Sequence, residues 1–154
     1  TTLFRSSQIP GAAIFSGDIH ASFVGDHGDR GGVNRVYEFT GTGVSSATFA
    51  AGVRSSVEAI GIPGADALLA QLDPLLQLSS VENPFSSPST IVYNNTDVHG
   101  YVVIEAGANA LTATFHHYPV ELVRRPFYAT PDDLMPSFDD RRFQVAGGAL
   151  TPLN

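Results

Sequence analysis

The apolar positions in the first part of the chain predict two strands separated by a loop. Residues Ala12 to Ser16 are almost all apolar, which is typical of a strand buried on both faces. The stretch from Gly25 to Gly32 is rich in glycine and charge, so we expect it to lack regular structure. Residues Val33 to Thr40 predict the second strand.

The middle of the chain changes to a helical period. Residues Ala47 to Ile60 carry apolar side chains at spacings of four, four and three, namely Phe49, Val53, Val57 and Ile60. These spacings place the four side chains on one face of a helix. A serine cap at Ser45 or Ser46 is expected to begin this helix, and the segment Gly61 to Gly64 is expected to end it.

A second helix is predicted over Asp66 to Leu78, which is rich in leucine. Pro74 is expected to end or kink that helix, because proline lacks the amide hydrogen that the helix interior requires. The serine- and proline-rich stretch from Ser79 to Ser89 predicts an extended surface loop.

Later apolar runs predict an antiparallel meander, with strands over Thr90 to Tyr93, Tyr101 to Ala106 and Leu111 to Tyr118. A hairpin turn at 107–109 joins the last two strands, and residues Pro119 to Arg125 predict an additional edge strand. The remainder shows little periodicity. We therefore divide the chain into a domain over 1–125 and an extended C-terminal tail over 126–154.

Size and charge narrow the class of protein. A chain of 154 residues with 43% hydrophobic residues buries one core, so one α/β domain is expected. The net charge of −7 disfavours nucleic-acid binding, and every basic residue is arginine. No apolar run is long enough to predict a transmembrane segment, and the lack of cysteine excludes disulfides and thiolate chemistry.

The first candidate site lies directly after the first strand. Asp18 and His20 are two residues apart, so in an extended segment their side chains point the same way. An oxygen and a nitrogen aimed at one point suit a metal ion. The alternative is a capping aspartate beside a surface histidine.

The second candidate is His99, which opens an apolar strand directly before Gly100. A histidine at such a strand edge suits phosphate binding or proton transfer. Asn94 and Asp97 come just before it and are expected to serve the turn between two strands. His116 and His117 are adjacent on a strand, so they point to opposite faces and do not bind one ion together.

Several motifs in order resemble one protein family. They are Ser16-Gly17-Asp18-Ile19-His20-Ala21-Ser22, then the block from Val36 to Ser46, then Asn83-Pro84, then His99-Gly100-Tyr101. In this order the chain resembles the C-terminal half of PhoD-like alkaline phosphatases, which belong to the calcineurin-like metallophosphoesterases. The resemblance covers about the first 120 residues.

This resemblance implies the C-terminal half of an α/β/β/α sandwich, with one buried strand, two helices and the late antiparallel meander. It places Asp18 and His20 on a metal-site motif, and His99 near the rim of the active site as a contact to the substrate phosphate or the leaving group. The implied cofactors are iron(III) and calcium, or other divalent metals. The implied reaction is hydrolysis of phosphate monoesters or diesters, including phospholipids, by a metal-activated hydroxide.

The family's early metal ligands belong to an N-terminal half whose motifs this sequence lacks. We therefore expect a secreted or periplasmic enzyme that is active only when this chain joins its N-terminal portion, present as a separate chain. Two alternatives remain. One is a non-catalytic structural or assembly domain, and the other is a calcium-binding module that uses Asp18, Asp26 and Asp29.

Overall fold

Two four-stranded sheets and a few short helices make up the fold. The structure, a computed structural model, describes residues 12–28, 35–78 and 89–153. Its strands are β1 (Ala12–Ser16), β2 (Ser22–Gly28), β3 (Arg35–Thr40), β4 (Ser89–Asn95), β5 (His99–Ala106), β6 (Ala110–Tyr118), β7 (Asp139–Ala146) and β8 (Ala149–Leu153). The first sheet has the order β1-β3-β2-β4 and the second β5-β6-β7-β8. The general α/β class predicted from the sequence is therefore confirmed.

Among the described residues, strand β1 lies at the edge of the first sheet and pairs with β3 alone, in parallel. The prediction that this strand is buried on both faces is wrong. Ile14 and Phe15 are 44% and 49% exposed, because in the described part of the chain β3 is the one strand beside β1. All other pairings in the two sheets are antiparallel.

The hydrophobic core lies between the two sheets. The first sheet contributes Val24, Tyr37 and Phe39, and the second contributes Ala113, Phe115, Phe143 and Val145. Strand alternation explains this choice, since every second residue of each strand faces the partner sheet. The hydroxyl of Tyr37 donates a hydrogen bond of 2.6 Å to the carbonyl of Gly148, so the core is also closed by a polar contact.

Helix α1 (Phe49–Ala59) confirms the first predicted helix. Its N-cap is Thr48, whose hydroxyl accepts a hydrogen bond from the amide of Ala51. The predicted cap at Ser45 or Ser46 is therefore wrong, since the chain reaches helical geometry only after Thr48. Val57 is buried, whereas Ile60 lies at the C-cap, beyond the last turn, and is 70% exposed.

The second predicted helix is split into α2 (Ala65–Leu69) and α3 (Leu72–Leu78). Pro74 does not cause the break, because it is the third residue of α3. Amide hydrogens in the first helical turn have no partner within the helix, so proline is tolerated there. The break lies instead at Ala70 and Gln71.

The late meander is confirmed for its last two predicted strands, which are β5 and β6 and continue into β7 and β8. Its first predicted strand, Thr90 to Tyr93, is wrong as a member of the meander, because it lies in β4, which pairs with β2 in the first sheet. The predicted edge strand at 119–125 is wrong. Val120–Leu122 forms a 3₁₀ helix after Pro119, which cannot donate a ladder hydrogen bond. The extended tail over 126–154 is also wrong for residues 139–153, which form β7 and β8. Their turn uses Gly147 and Gly148, both at positive φ, as a tight hairpin requires.

The predicted glycine-rich loop at 25–32 is wrong in its first half, because Gly25 to Gly28 belong to β2. Pairing with β3 on one side and β4 on the other imposes strand geometry there. Residues 29–34, and residues 79–88 of the predicted surface loop, lie outside the described residues. Within the described ranges, none of the helices has the length and apolar character needed to cross a bilayer.

Candidate functional site

The bend that carries Asp18 and His20 connects β1 to β2. Asp18 has φ 72° and His20 has φ 58°, and they are the non-glycine residues at positive φ in the described part of the chain. The expectation of an extended segment is therefore wrong. Each such backbone costs on the order of 1–3 kcal/mol, and residues of this kind cluster at functional sites.

The ring of His20 is held from one side. Its Nδ1 atom lies 2.7 Å from the carbonyl oxygen of Ala47, and a carbonyl oxygen can only accept a hydrogen bond. In the neutral ring, Nδ1 therefore carries the proton and Nε2 has the lone pair. Metal-binding histidines in proteins show this arrangement, with one ring nitrogen bound to a backbone carbonyl and the other free for the metal.

His99 is held by the carbonyl of Ser46, the residue before Ala47. Its Nε2 atom lies 2.7 Å from the carbonyl oxygen of Ser46, and its ring stacks on Tyr118 with centroids 6.0 Å apart. The residue is 4% exposed, and its buried Nδ1 atom has no hydrogen-bond partner among the described residues. The resemblance implies a position near the rim of the active site, whereas the described residues bury this ring.

Both histidines thus form hydrogen bonds with one segment, residues 41–48, which we call the 41–48 loop. His20 binds the carbonyl of Ala47 and His99 that of Ser46. Tyr118 donates to the carbonyl of Val44, and the amide of Gly100 donates to the carbonyl of Gly43. The structure therefore brings His20 and His99 to the same loop, where both rings help to fix its path before α1.

A complete metal centre is not formed by the described residues. No three histidine, aspartate or glutamate side chains in ranges 12–28, 35–78 and 89–153 lie close enough to hold one ion. Asp18 is exposed and offers an oxygen, and His20 offers a nitrogen, but further ligands are required. For the calcium alternative, Asp26 is engaged by Arg35 at 2.9 and 2.5 Å, and Asp29 lies outside the described residues.

The pair His116 and His117 points to opposite faces of β6, as predicted. His116 Nδ1 lies 2.8 Å from a carboxylate oxygen of Asp140 on the outer face. His117 faces the core, where its Nε2 atom lies 2.8 Å from the hydroxyl oxygen of Ser22. Burial lowers the pKa of His117 from 6.5 to about 4, because the imidazolium is poorly solvated inside the sandwich.

Sequence reasoning missed a polar cluster on the outer face of the first sheet. His27 Nδ1 lies 2.5 Å from the hydroxyl oxygen of Ser89, and His27 Nε2 lies 3.1 Å from Oε2 of Glu38. We call these three residues the serine cluster. They lie in a groove of about 400 Å³ whose other lining side chains include Ile19, Phe23 and Ile91.

The other carboxylate oxygen of Glu38, Oε1, also has hydrogen-bond partners. Thr40 donates a hydrogen bond of 3.0 Å to Oε1, and the hydroxyl of Ser16 lies 3.4 Å from the same atom. Strand pairing provides the signal that could have found the cluster. Glu38 is opposite Gly25, and His27 is opposite Ser89, so alternation puts these side chains on one face once β2 is recognised as a strand.

Comparison with models of known protein families, with curated proteins and with solved structures finds no match to this chain. A function for the chain must therefore be inferred from its own residues. Two arrangements of side chains could bind a ligand or take part in a reaction. They are the bend at Asp18 and His20 and the serine cluster on the outer face of the first sheet.

Proposed function

We propose that this chain is the C-terminal part of a metal-dependent phosphoesterase, in which Asp18 and His20 supply two metal ligands. The observation that carries the proposal is the bend itself. Both residues adopt strained backbone at positive φ, and His20 has Nδ1 bound to a carbonyl with Nε2 left for a ligand bond. The order of sequence motifs that resembles PhoD-like phosphatases points to the same two residues.

The donor types fit the implied metals. A carboxylate oxygen suits calcium, and an imidazole nitrogen beside a carboxylate suits iron. The remaining ligands would come from the N-terminal portion of the enzyme, present as a separate chain. Asp18 is exposed, so a second polypeptide can approach it. A metal bound there would supply an activated hydroxide for attack on a phosphate ester.

The residues of this chain would then position the site. The carbonyl of Ala47 would hold the neutral His20 ring in one tautomer and one orientation, with the lone pair on Nε2. The resemblance implies that His99 contacts the substrate phosphate or its leaving group, but the ring is buried and its Nε2 atom is bound to the carbonyl of Ser46, so in this proposal His99 acts by holding the 41–48 loop. Phosphate monoesters and diesters, including phospholipids, are the proposed substrates, and a secreted or periplasmic location follows from the resemblance.

Native mass spectrometry of the protein isolated from its source tests the assembly. We expect a species heavier than the 16.3 kDa chain by a second polypeptide and bound iron or calcium. A metal-free species at the mass of this chain alone would overturn the proposal. Metal content by elemental analysis of the same preparation gives an independent reading.

The variant His20→Asn separates a ligand role of this side chain from a structural one. The amide nitrogen of asparagine occupies the place of histidine Nδ1 and keeps the contact to Ala47, but nothing replaces Nε2. Asparagine also tolerates positive φ, so His20→Asn should fold. We expect the assembled enzyme to lose metal and at least about 100-fold in hydrolysis of p-nitrophenyl phosphate.

Asp18→Asn should behave in the same way, since it too keeps the backbone preference while removing the charge. Asp132→Asn is the matched control, because Asp132 is exposed in a 3₁₀ helix remote in sequence from the bend. Full metal content and activity in both His20→Asn and Asp18→Asn would contradict the assignment.

A second candidate is a non-catalytic structural domain. It is favoured by one observation, namely that His20, His99 and Tyr118 all bind carbonyls of the 41–48 loop. In that case the whole assembly contains no metal and hydrolyses no phosphate ester. His20→Asn would then change neither metal content nor stability, because the contact to Ala47 is preserved.

A further inference from the structure

We propose that Ser89 is a nucleophilic serine, activated by His27 and positioned through Glu38, that accepts acyl groups from small apolar carboxylic esters. The three reacting side chains of this site are not the proposed metal ligands, although Ile19 of the bend lines the same groove. The site requires no metal, so it stands or falls independently of the phosphoesterase proposal.

The hydrogen bonds of His27 assign its tautomer. The carboxylate of Glu38 can only accept, so the proton of the neutral ring lies on Nε2, 3.1 Å from Oε2. Nδ1 is then the basic atom, and it lies 2.5 Å from the hydroxyl oxygen of Ser89. A nucleophile bound to a base, and a base oriented by a third group, is the arrangement that activates serine.

The absence of a side chain at Gly25 leaves the space that the His27 ring occupies. A Cβ atom at position 25 would lie 2.5 Å from His27 Nε2, so the ring occupies the space above this glycine. The acid is also fixed, because Thr40 donates to the oxygen of Glu38 that His27 does not use. These contacts hold the base and its orienting group in one geometry before any substrate binds.

The groove defines the substrate class. Ser89 is exposed, while His27 and Glu38 have side chains 35% and 38% exposed, so solvent and small molecules reach all three. Ile19, Phe23 and Ile91 line the same groove with apolar surface. An ester with a short aliphatic acyl chain therefore fits better than a charged or highly polar substrate.

The reaction balances without a cofactor. Ser89 Oγ attacks the ester carbonyl carbon, and its proton passes to His27 Nδ1. The bond from carbon to the leaving oxygen then breaks, and the imidazolium returns the proton to that oxygen. Water hydrolyses the acyl-serine by the same route, which releases a carboxylic acid and restores the hydroxyl.

Labelling with an alkyl fluorophosphonate tests the nucleophile, because serine displaces fluoride to form a stable phosphonyl ester. We expect one label per chain in the presence of EDTA, located on Ser89 by peptide mass spectrometry. Excess p-nitrophenyl butyrate should slow the labelling. Absence of label, or label on another residue, would overturn the proposal.

Two variants and two controls complete the test. Ser89→Ala should abolish labelling, and His27→Gln should slow it about 100-fold or more, since glutamine keeps a contact to Glu38 but supplies no base. Ser45→Ala removes another exposed serine, and His116→Gln removes a histidine of the second sheet, and both should label at the normal rate. Equal labelling of His27→Gln and the unmodified chain would contradict the activation by His27.

The positioning role of Glu38 has a spectroscopic readout. Nitrogen-15 chemical shifts of His27 should show the Nε2-protonated tautomer in the unmodified chain. Glu38→Gln should shift the tautomer mixture and slow the labelling, whereas Glu58→Gln, on the exposed side of α1, should do neither. Labelling that slows while the tautomer stays unchanged would exclude a positioning role for Glu38.

Discussion

Ser22 Oγ lies 2.8 Å from His117 Nε2, and this hydrogen bond joins the two sheets inside the core. Ser22 is fully buried and His117 is 2% exposed. The ring of Tyr93 stacks on His117 with centroids 6.1 Å apart. A neutral imidazole satisfies this environment, whereas a charged one would have to be desolvated.

The stability of the protein should consequently fall in mild acid. The folded state lowers the pKa of His117 from 6.5 to about 4, so between these values the unfolded chain binds the extra proton. The stabilisation is complete above pH 6.5 and is lost as the pH falls towards 4. At about 1.4 kcal/mol per pH unit, the loss amounts to about 3 kcal/mol.

Urea unfolding at pH 7.5 and pH 4.5 measures this loss. His117→Gln keeps a donor to Ser22 but cannot titrate, so its free energy of unfolding should fall by about 2–3 kcal/mol less than that of the unmodified chain. His116→Gln, on the outer face, should lose as much free energy of unfolding between pH 7.5 and pH 4.5 as the unmodified chain does. Identical pH dependence in the unmodified chain and His117→Gln would show that His117 is not responsible.

Gly100 is required by the spacing between β5 and β6. A Cβ atom there would lie 2.1 Å from the carbonyl oxygen of His116, which belongs to the backbone and cannot move away alone. Gly100→Ala should cost on the order of 1–3 kcal/mol in chemical denaturation. Gly52→Ala is the contrasting variant, because nothing lies within 4 Å of its added Cβ in α1, and it should stabilise by about 1 kcal/mol. Equal effects would contradict this account.

Thr48 should matter for α1, and Ser45 should not. The Thr48 hydroxyl accepts from the amide of Ala51 and donates to the carboxylate of Asp97 at 2.8 Å. Thr48→Ala should therefore lower the free energy of unfolding by about 1–2 kcal/mol. Ser45→Ala, at an exposed position before the helix, should change it by less than about 0.5 kcal/mol. Thermal unfolding followed by circular dichroism compares the two variants directly.

Phe143 tests whether the last strands are integral to the fold. The residue is 4% exposed, and the centroid of its ring lies 5.4 Å from that of Tyr93 and 5.9 Å from that of Phe115. Phe143→Ala should cost about 3–5 kcal/mol in urea unfolding. Tyr128→Ala removes a ring that is 99% exposed and should be nearly neutral. A neutral Phe143→Ala would mean that β7 does not help to build the core.

Local periodicity predicted the elements whose own pattern is strong. The helical spacing of Phe49, Val53 and Val57 predicted α1, and the alternation of Ala113 and Phe115 predicted β6. Strand β7 was missed because it begins with four charged residues, Asp139 to Arg142, all exposed. The inward alternation of Phe143 and Val145 was too short to outweigh them.

The candidate sites depend on tertiary pairing to different degrees. Asp18 and His20 could be singled out from their residue types, but their positive φ follows from how the chain turns between β1 and β2. The serine cluster could not be found locally, because Ser89 and His27 lie on strands far apart in sequence. Glycines on either side of His27 also favoured a loop, and pairing with two neighbouring strands overrode that preference.

The two sheets differ in the sequence separation of their paired strands, and this difference predicts which sheet folds first. In the second sheet the most distant pairing joins Ala110 to Ala146, whereas in the first sheet β2 must find β4, with Ser22 opposite Asn95. Closing the longer loop costs more entropy, so we expect β5 to β8 to gain protected amides first and to serve as a template for β2 and β4. Pulse-labelled hydrogen exchange during refolding would reveal the opposite order if the first sheet nucleates.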